Sequence, residues 1–130
     1  MGADVINMSW GGYTSLSNSG DLRRAINYAY ENDVILVASA GNKGMEVREA
    51  DFGLHTDTHY PSSYTRVLAV GSTTVDDARA SLSNYGDEVI YAPGEEIYTT
   101  EMSGGYTEDC TGTSCAAAPG PCPGRLESRQ

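Results

Sequence analysis

The chain has 130 residues, of which 39% are hydrophobic, and this size and composition fit one globular domain. Its 18 acidic and 8 basic residues give a formal net charge of -10, which argues against binding to nucleic acid or to an anionic membrane surface. No apolar run approaches the roughly 20 residues that span a bilayer, and residues 1–4 lack the basic and apolar regions of a signal peptide.

The first part of the chain has the strand–helix–strand order of a βαβ unit. The apolar stretch Val5–Met8 predicts a strand, and apolar side chains at helical spacing predict an amphipathic helix over residues 21–32. Ser19 or Asp21 can cap the start of that helix. Residues 34–38 are continuously apolar, as in a strand that is buried on both faces of a parallel sheet. This order predicts an α/β fold with a right-handed crossover.

The second part alternates irregular segments with short apolar runs. Residues 43–59 are polar and irregular, which predicts a long loop. Residues 67–70 predict a third buried strand, and residues 89–92 and 97–100 predict two shorter strands that a Pro-Gly pair separates.

The end of the chain breaks the pattern. Three prolines within residues 119–123 cannot continue a helix. We therefore assign residues 1–118 to the domain and expect residues 119–130 to form a disordered tail. Three cysteines are an odd number without the spacing of a metal site, so we expect no disulfide framework among Cys110, Cys115 and Cys122.

Polar segments follow the first two strands directly, at residues 9–12 and 39–42. Because neighbouring parallel strands end at the same edge of a sheet, these segments are expected to meet there. Ser114 precedes an alanine run that favours a helix, and the unpaired N–H groups and dipole at a helix start favour negative charge. Asn42 could aim an amide donor at the same point, an arrangement that suits an oxyanion.

Each of these signals is weak by itself. A serine at a helix start is usually a plain cap, and an asparagine after glycine is usually a turn residue. Residues 41–44 could instead suggest a phosphate-binding loop, but they lack the spacing of such a motif and no clear helix follows them. The order and combination of the three segments favour the oxyanion interpretation.

Five stretches in order resemble one family. They are GADVINMSWGG, VILVASAGNKG, HYPSSYTRVLAVGSTT, SLSNYGDEVIYAPGEEIYTT and GTSCAA. Over residues 3–117 the chain resembles the subtilisin-like serine proteases, or subtilases, whose nucleophile motif GTSMAA is similar to the last stretch. The resemblance implies a partial three-layer α/β fold with a mostly parallel sheet, without the N-terminal strands and C-terminal helices of the family.

The resemblance also implies roles for particular residues. Ser114 would be the nucleophile, and Asn42 would stabilise the oxyanion together with the backbone N–H of Ser114. Ser9, Trp10 and Gly11 would pair with the substrate backbone, which would bind as an added strand. Ser39, Ala40 and Gly41, together with Ala38, would form one wall of the pocket for the residue before the cleaved bond. The bond between Tyr60 and Pro61 is expected to be cis by the same resemblance.

Two departures from the family concern the catalytic motifs and Cys115. The Asp-[Ser/Thr]-Gly and His-Gly-Thr motifs that supply the catalytic Asp and His do not occur in it. We place His55 and His59 in a solvated loop and expect neither to act in catalysis or, with Asp57, to bind a metal. Cys115 replaces the usual methionine and is expected to be either an oxidation-prone thiol or a small buried residue.

Two functional hypotheses follow. The first is a fragment of a secreted or cell-surface serine endopeptidase that cleaves peptides or proteins and is inactive alone. Its partner would be the missing N-terminal half of the catalytic domain. The second is a non-catalytic subtilase-like domain that binds peptides. Neither hypothesis requires a cofactor or a metal in this chain, and calcium is an option for the full-length parent.

Overall fold

A computed structural model of the chain describes residues 2–13, 20–47 and 58–119. At its centre is a four-stranded sheet whose neighbouring strands are all parallel. Across the sheet the strands are β1 (Val5–Met8), β3 (Ile35–Ser39), β5 (Leu68–Thr73) and β6 (Val89–Pro93). The predicted α/β fold with a mostly parallel sheet is confirmed, and each of these four strands overlaps a predicted one.

The remaining elements are short. The helices are α1 (Gly20–Glu31) and α2 (Thr113–Ala117). Two antiparallel pairs join β2 (Gly12–Tyr13) to β4 (His59–Tyr60), and β7 (Ile97–Thr100) to β8 (Tyr106–Cys110). The strands β2, β4 and β8 were not predicted, because two-residue strands and hydrophilic hairpin strands carry little apolar periodicity. No helix in the described part of the chain is long and apolar enough to cross a membrane.

Helices cover opposite faces of the sheet because side chains alternate along its strands. In β3, Leu36 and Ala38 pack in one cluster with Ile26 of α1. Val37, which lies between them in sequence, packs on the other face with Val70 and with Ala116 and Ala117 of α2. The result is three layers, as the family resemblance implied.

Helix α1 begins at Gly20, one residue before the predicted start, and Ser19 lies outside the described residues. Asp21 pairs with Arg24 in the first turn. At the other end, Asp33 has a φ of 60° and Val34 N–H donates to Ala29 C=O at 3.1 Å. This closure ends the helix and turns the chain directly into β3.

Strand β1 lies at an edge of the sheet. Within the described part of the chain, β3 is its one hydrogen-bonded neighbour, and Ile6 is 37% exposed. An unpaired edge with an exposed apolar side chain is a surface that normally requires cover.

The expectation about cysteines is wrong at Cys110 and Cys115. They form a disulfide with a Cα–Cα distance of 6.1 Å, so Cys115 is neither a free thiol nor merely a small buried residue. The turn between β8 and α2 brings the two residues together, since Gly112 N–H donates to Gly94 C=O at 2.7 Å and Cys115 N–H donates to Gly112 C=O at 3.1 Å. The disulfide therefore closes a ring around residues 111–114.

Thiol counting tests this disulfide. We expect iodoacetamide to modify one cysteine, Cys122, in the denatured but unreduced chain, because Cys110 and Cys115 are bonded to each other. After reduction, all three cysteines should be modified. Peptide mass mapping locates the labels, and label on Cys115 before reduction would contradict the pairing.

The central strand gives a test of the core. We expect Val70→Ala to lower the free energy of unfolding by about 2 kcal/mol, because the fully buried side chain contacts both β3 and α2. The matched control is Val75→Ala, whose side chain is 72% exposed and whose loss should change stability by less than about 0.5 kcal/mol. Urea unfolding measures the free energy of unfolding of both variants. Equal losses in the two would contradict the packing of Val70 against β3 and α2.

Candidate functional site

Two serines that are far apart in sequence bind each other at the carboxyl end of the parallel sheet. The Ser114 hydroxyl donates to the backbone carbonyl of Ser9 at 3.0 Å. In return, the Ser9 hydroxyl donates to the Ser114 carbonyl at 2.8 Å. This reciprocal pair joins the segment after β1 to the first turn of α2 and fixes the position of Ser114.

Asn42 is held against the residue that precedes Ser114. Its side-chain carbonyl Oδ1 accepts from the backbone N–H of Thr113 at 2.9 Å and from the Thr113 hydroxyl at 2.8 Å. The buried Thr113 hydroxyl also accepts from Gly41 N–H at 3.1 Å. Since Oδ1 is occupied twice, the amide group Nδ2 is the part of Asn42 that can donate to another molecule. Asn42 itself is exposed.

Asn84 organises the loop that carries Asn42. It is buried, and its Nδ2 donates to the Ala40 carbonyl at 2.8 Å and to the Tyr13 hydroxyl at 2.9 Å. Its Oδ1 accepts from Lys43 N–H at 3.1 Å and from Met45 N–H at 2.9 Å. The side chain thus supplies the hydrogen bonds that a strand neighbour would supply elsewhere.

The predicted substrate-binding residues fall into two groups. Trp10 is 53% exposed and Gly11 is exposed, so both are open to a ligand. Ser39 is 3% exposed and Ala40 is fully buried, so their side chains do not face an open pocket. Gly41 is also buried, with a φ of 103° that disfavours any other residue. The predicted pocket wall at residues 39–41 therefore presents backbone rather than side chains.

The placement of His59 in a solvated loop is wrong. His59 is 6% exposed and lies in β4, where it pairs with Tyr13 of β2. Its ring contacts the Tyr13 ring edge-on, with centroids 5.0 Å apart. His55 and Asp57 lie outside the described residues. The expected cis peptide bond is present between Tyr60 and Pro61, directly after His59.

Ser62 holds the ring of His59. The Ser62 hydroxyl oxygen lies 2.8 Å from Nδ1 and 3.0 Å from the His59 carbonyl oxygen, so the ring is tied to its own turn of the chain. Burial, and secondly the charge of Lys43, lower the pKa of His59 from 6.5 to about 4.

Lys43 brings positive charge to this side of the site. Its ammonium nitrogen lies 4.0 Å from the centre of the Tyr13 ring, a cation–π contact. Within residues 2–13, 20–47 and 58–119, no three His, Cys, Asp or Glu side chains are close enough to hold a metal ion.

Sequence reasoning missed three residues of this site, namely Thr113, Asn84 and His59. Thr113 stands within the nucleophile-like motif and could have been examined as a neighbour of Ser114. Asn84 bonds to residues about 40 or more positions away, which no local pattern shows. His59 follows polar residues without apolar alternation, so its sequence neighbours favour a loop.

The pKa of His59 predicts a pH dependence of stability. From pH 6.5 down to about 4, only the unfolded chain takes up this proton, so acid favours unfolding in that range. We expect the free energy of unfolding to fall there by about 2 kcal/mol more than in His59→Gln, after allowance for screening by water. Above pH 6.5 the difference between the free energies of unfolding of the two proteins should not change with pH. Urea unfolding across this range measures it, and parallel curves for the two proteins would contradict the assignment.

Comparisons with known proteins identify the family of the chain. The model of the subtilase family matches residues 1–119. The chain is 40% identical over 117 residues to subtilisin DY of Bacillus licheniformis, covering 89% of this chain and 39% of that protein. It is 40% identical over 116 residues to thermitase of Thermoactinomyces vulgaris, covering 88% and 37%. The chain thus spans about two-fifths of the length of these relatives.

Solved structures give the same result. The patellamide maturation protease PatA matches with a TM-score of 0.73 and 34% identity, over 89% of this chain and 40% of that one. The prenylagaramide maturation protease PagA matches with a TM-score of 0.72 and 35% identity, over the same shares of the two chains. With the family model covering nearly the whole chain, this protein belongs to the subtilase family of peptidases.

Proposed function

We propose that this chain carries the nucleophile, the oxyanion hole and the substrate-binding strand of a serine endopeptidase. Ser114 is the nucleophile, and Asn42 and the Ser114 N–H bind the oxyanion. Residues 9–11 bind the substrate backbone. The observation that supports this most is the double hydrogen bond between Asn42 Oδ1 and Thr113, which holds Asn42 against the residue that precedes Ser114.

The chemistry follows from the positions of the donors. When Ser114 Oγ attacks a scissile carbonyl, negative charge develops on the carbonyl oxygen. Asn42 Nδ2 and the Ser114 N–H can then donate to that oxygen. Because Thr113 holds the amide of Asn42 by its other atom, the donor does not have to reorient during the reaction, and such preorganisation is what makes oxyanion holes effective.

Substrate binding is the second part of the proposal. The segment after β1 lies at the sheet edge, and an extended peptide can add to it by backbone hydrogen bonds. Trp10 is half exposed there and offers an apolar surface to the ligand. The substrate class is therefore peptides or proteins in extended conformation.

We expect the isolated chain to be inactive. The Ser114 hydroxyl donates to an amide carbonyl, which cannot take up its proton. His59 pairs with Tyr13 of β2 and bonds to Ser62, and among the described residues no hydrogen bond joins it to Ser114. Without a general base, a serine hydroxyl remains a poor nucleophile. The base and its carboxylate partner would come from a preceding part of the catalytic domain.

The location of the whole protein is part of the same proposal. Disulfides persist in oxidising compartments and are rare in the cytosol. The Cys110–Cys115 disulfide therefore favours a secreted or cell-surface protein.

The same Ser114–Ser9 bond favours the alternative function, a peptide-binding domain without catalysis. In that case the serine hydroxyl would have a purely structural role. The two functions differ in one respect that can be measured, which is whether Ser114 becomes reactive once a general base is supplied.

A chimera tests the proposal. The segment of subtilisin DY that matches this chain is replaced by residues 1–119, so that the chimera has the Asp and His of the relative. We expect a fluorophosphonate probe to label Ser114 in the chimera but not in the isolated chain. A folded chimera without label would favour the peptide-binding alternative, and label that survives Ser114→Ala would contradict the assignment of the nucleophile.

Asn42 is tested in the same chimera. Asn42→Ala should reduce kcat by about 10²–10³-fold, the scale known for the loss of such a donor in a subtilisin, with a much smaller change in KM. The matched control is Asn32→Ala, which removes an exposed amide at the end of α1. A loss confined to KM would show that Asn42 acts in binding rather than on the oxyanion.

A further inference from the structure

The two segments that are proposed to hold the substrate are both in contact with one histidine side chain. His59 lies against Gly11 of the first segment and against Gly41 of the second. A Cβ atom added to Gly11 would meet the Cε1–Nε2 edge of the imidazole, at 2.6 Å from Nε2. A Cβ added to Gly41 would lie 2.9 Å from Cδ2 of the same ring. The ring thus fills the space that separates the two walls.

His59 cannot easily leave this position. Its Nδ1 is hydrogen-bonded to Ser62, its backbone pairs with Tyr13, and the residue is 6% exposed. The Tyr13 hydroxyl closes the same space from another side, at 2.9 Å from the position of a Gly41 Cβ. That hydroxyl is itself held by Asn84. The floor between the walls is therefore made of ordered, mutually bonded groups.

A side chain of the substrate can bind between the two segments only if it is small enough. An aromatic ring needs about 3.5–4.0 Å between its atoms and each wall. The imidazole of His59 already occupies the space next to Gly11 and Gly41, and displacing it would break its bond to Ser62 and its buried contact with Tyr13. A methyl or hydroxymethyl group is smaller than an aromatic ring and does not require the imidazole to move.

We infer that His59 is the specificity-determining residue of this site and that the pocket for the residue before the cleaved bond accepts only small side chains, of the size of glycine, alanine or serine. This inference rests on the proposed function, because it assumes that residues 9–11 and 39–41 flank that pocket.

Binding of product-like peptides to the chain itself tests the inference, since binding needs no general base. Two N-acetylated tetrapeptides are compared that differ only in the C-terminal residue, alanine or phenylalanine. Their C-terminal carboxylate takes the place of the oxyanion between Asn42 and Ser114. Titrations are followed by NMR of the isotope-labelled chain. We expect the alanine peptide to bind at least about 10-fold more tightly and to shift the signals of Gly11, Gly41 and His59.

The outcomes separate the inference from the proposed function. If the phenylalanine peptide binds equally well or better at the same residues, the size limit is wrong while the peptide site stands. If neither peptide shifts the signals of residues 9–11 and 39–42, the proposed peptide site is wrong, and the size limit falls with it.

Substitution of His59 gives a second measurement. His59→Gly should increase the affinity for the phenylalanine peptide by at least about 10-fold and leave that for the alanine peptide nearly unchanged. His59→Gln is the matched control, because it keeps a side chain of similar size that can bond to Ser62, and it should keep the preference for alanine. A His59→Gly chain that folds and still rejects phenylalanine would overturn the role of His59. If that variant does not fold, the comparison of the two peptides on the wild-type chain decides the matter.

Discussion

The candidate site depends on one side chain, the hydroxyl of Thr113. It accepts a hydrogen bond from Gly41 N–H and donates to Asn42 Oδ1, so it connects the loop after β3 to the start of α2. Helix α2 has only five residues and could not hold a fixed position by itself. Two alanines of α2 are fully buried against Val37 and Val70. Packing sets the depth of the helix on the sheet, and Thr113 sets its position relative to Asn42.

A second polar residue makes the irregular part of the site rigid. The segment from Ala40 to Met45 leaves the sheet after β3, and backbone hydrogen bonds such as those of Gly44 N–H to Leu82 C=O and of Asn84 N–H to Gly41 C=O hold it beside residues 82–85. The buried side chain of Asn84 adds bonds to Ala40, Lys43 and Met45. Since a buried amide that loses its partners is costly, the loop and Asn84 stabilise each other in one arrangement. A site on such a loop can be as well ordered as one on a strand.

The sequence was sufficient for the strands in which most residues are buried. Residues 34–38 and 67–70 are continuously apolar, and all of them except Val34, Ile35 and Leu68 are buried, so that their pattern indicates strands covered on both faces of a parallel sheet. His59 is different, since its burial comes from Tyr13, Ser62 and the pairing of β2 with β4, which are contacts that its sequence neighbours do not predict.

The disulfide and the bonds between the two serines are further contacts that the local sequence does not predict. Cys110 and Cys115 are five positions apart, and only the turn at Gly112 determines that they meet. Ser9 and Ser114 are 105 positions apart. The family resemblance predicted that both serines belong to one site. Their hydroxyls and carbonyls can bond to each other only because the packing of the molecule places the end of β1 next to the start of α2.

The Ser114–Ser9 bond lies at the end of the strand β1, whose other edge is open. Ser9 directly follows β1, and among the described residues β1 has a strand neighbour on one side only, that of β3. If Ser114 is the nucleophile, as proposed, a base that takes its proton must replace the Ser9 carbonyl as the acceptor of that hydroxyl. Under the same proposal, a polypeptide that pairs with the open side of β1 would complete the sheet next to Ser9, and such a polypeptide could also supply the base.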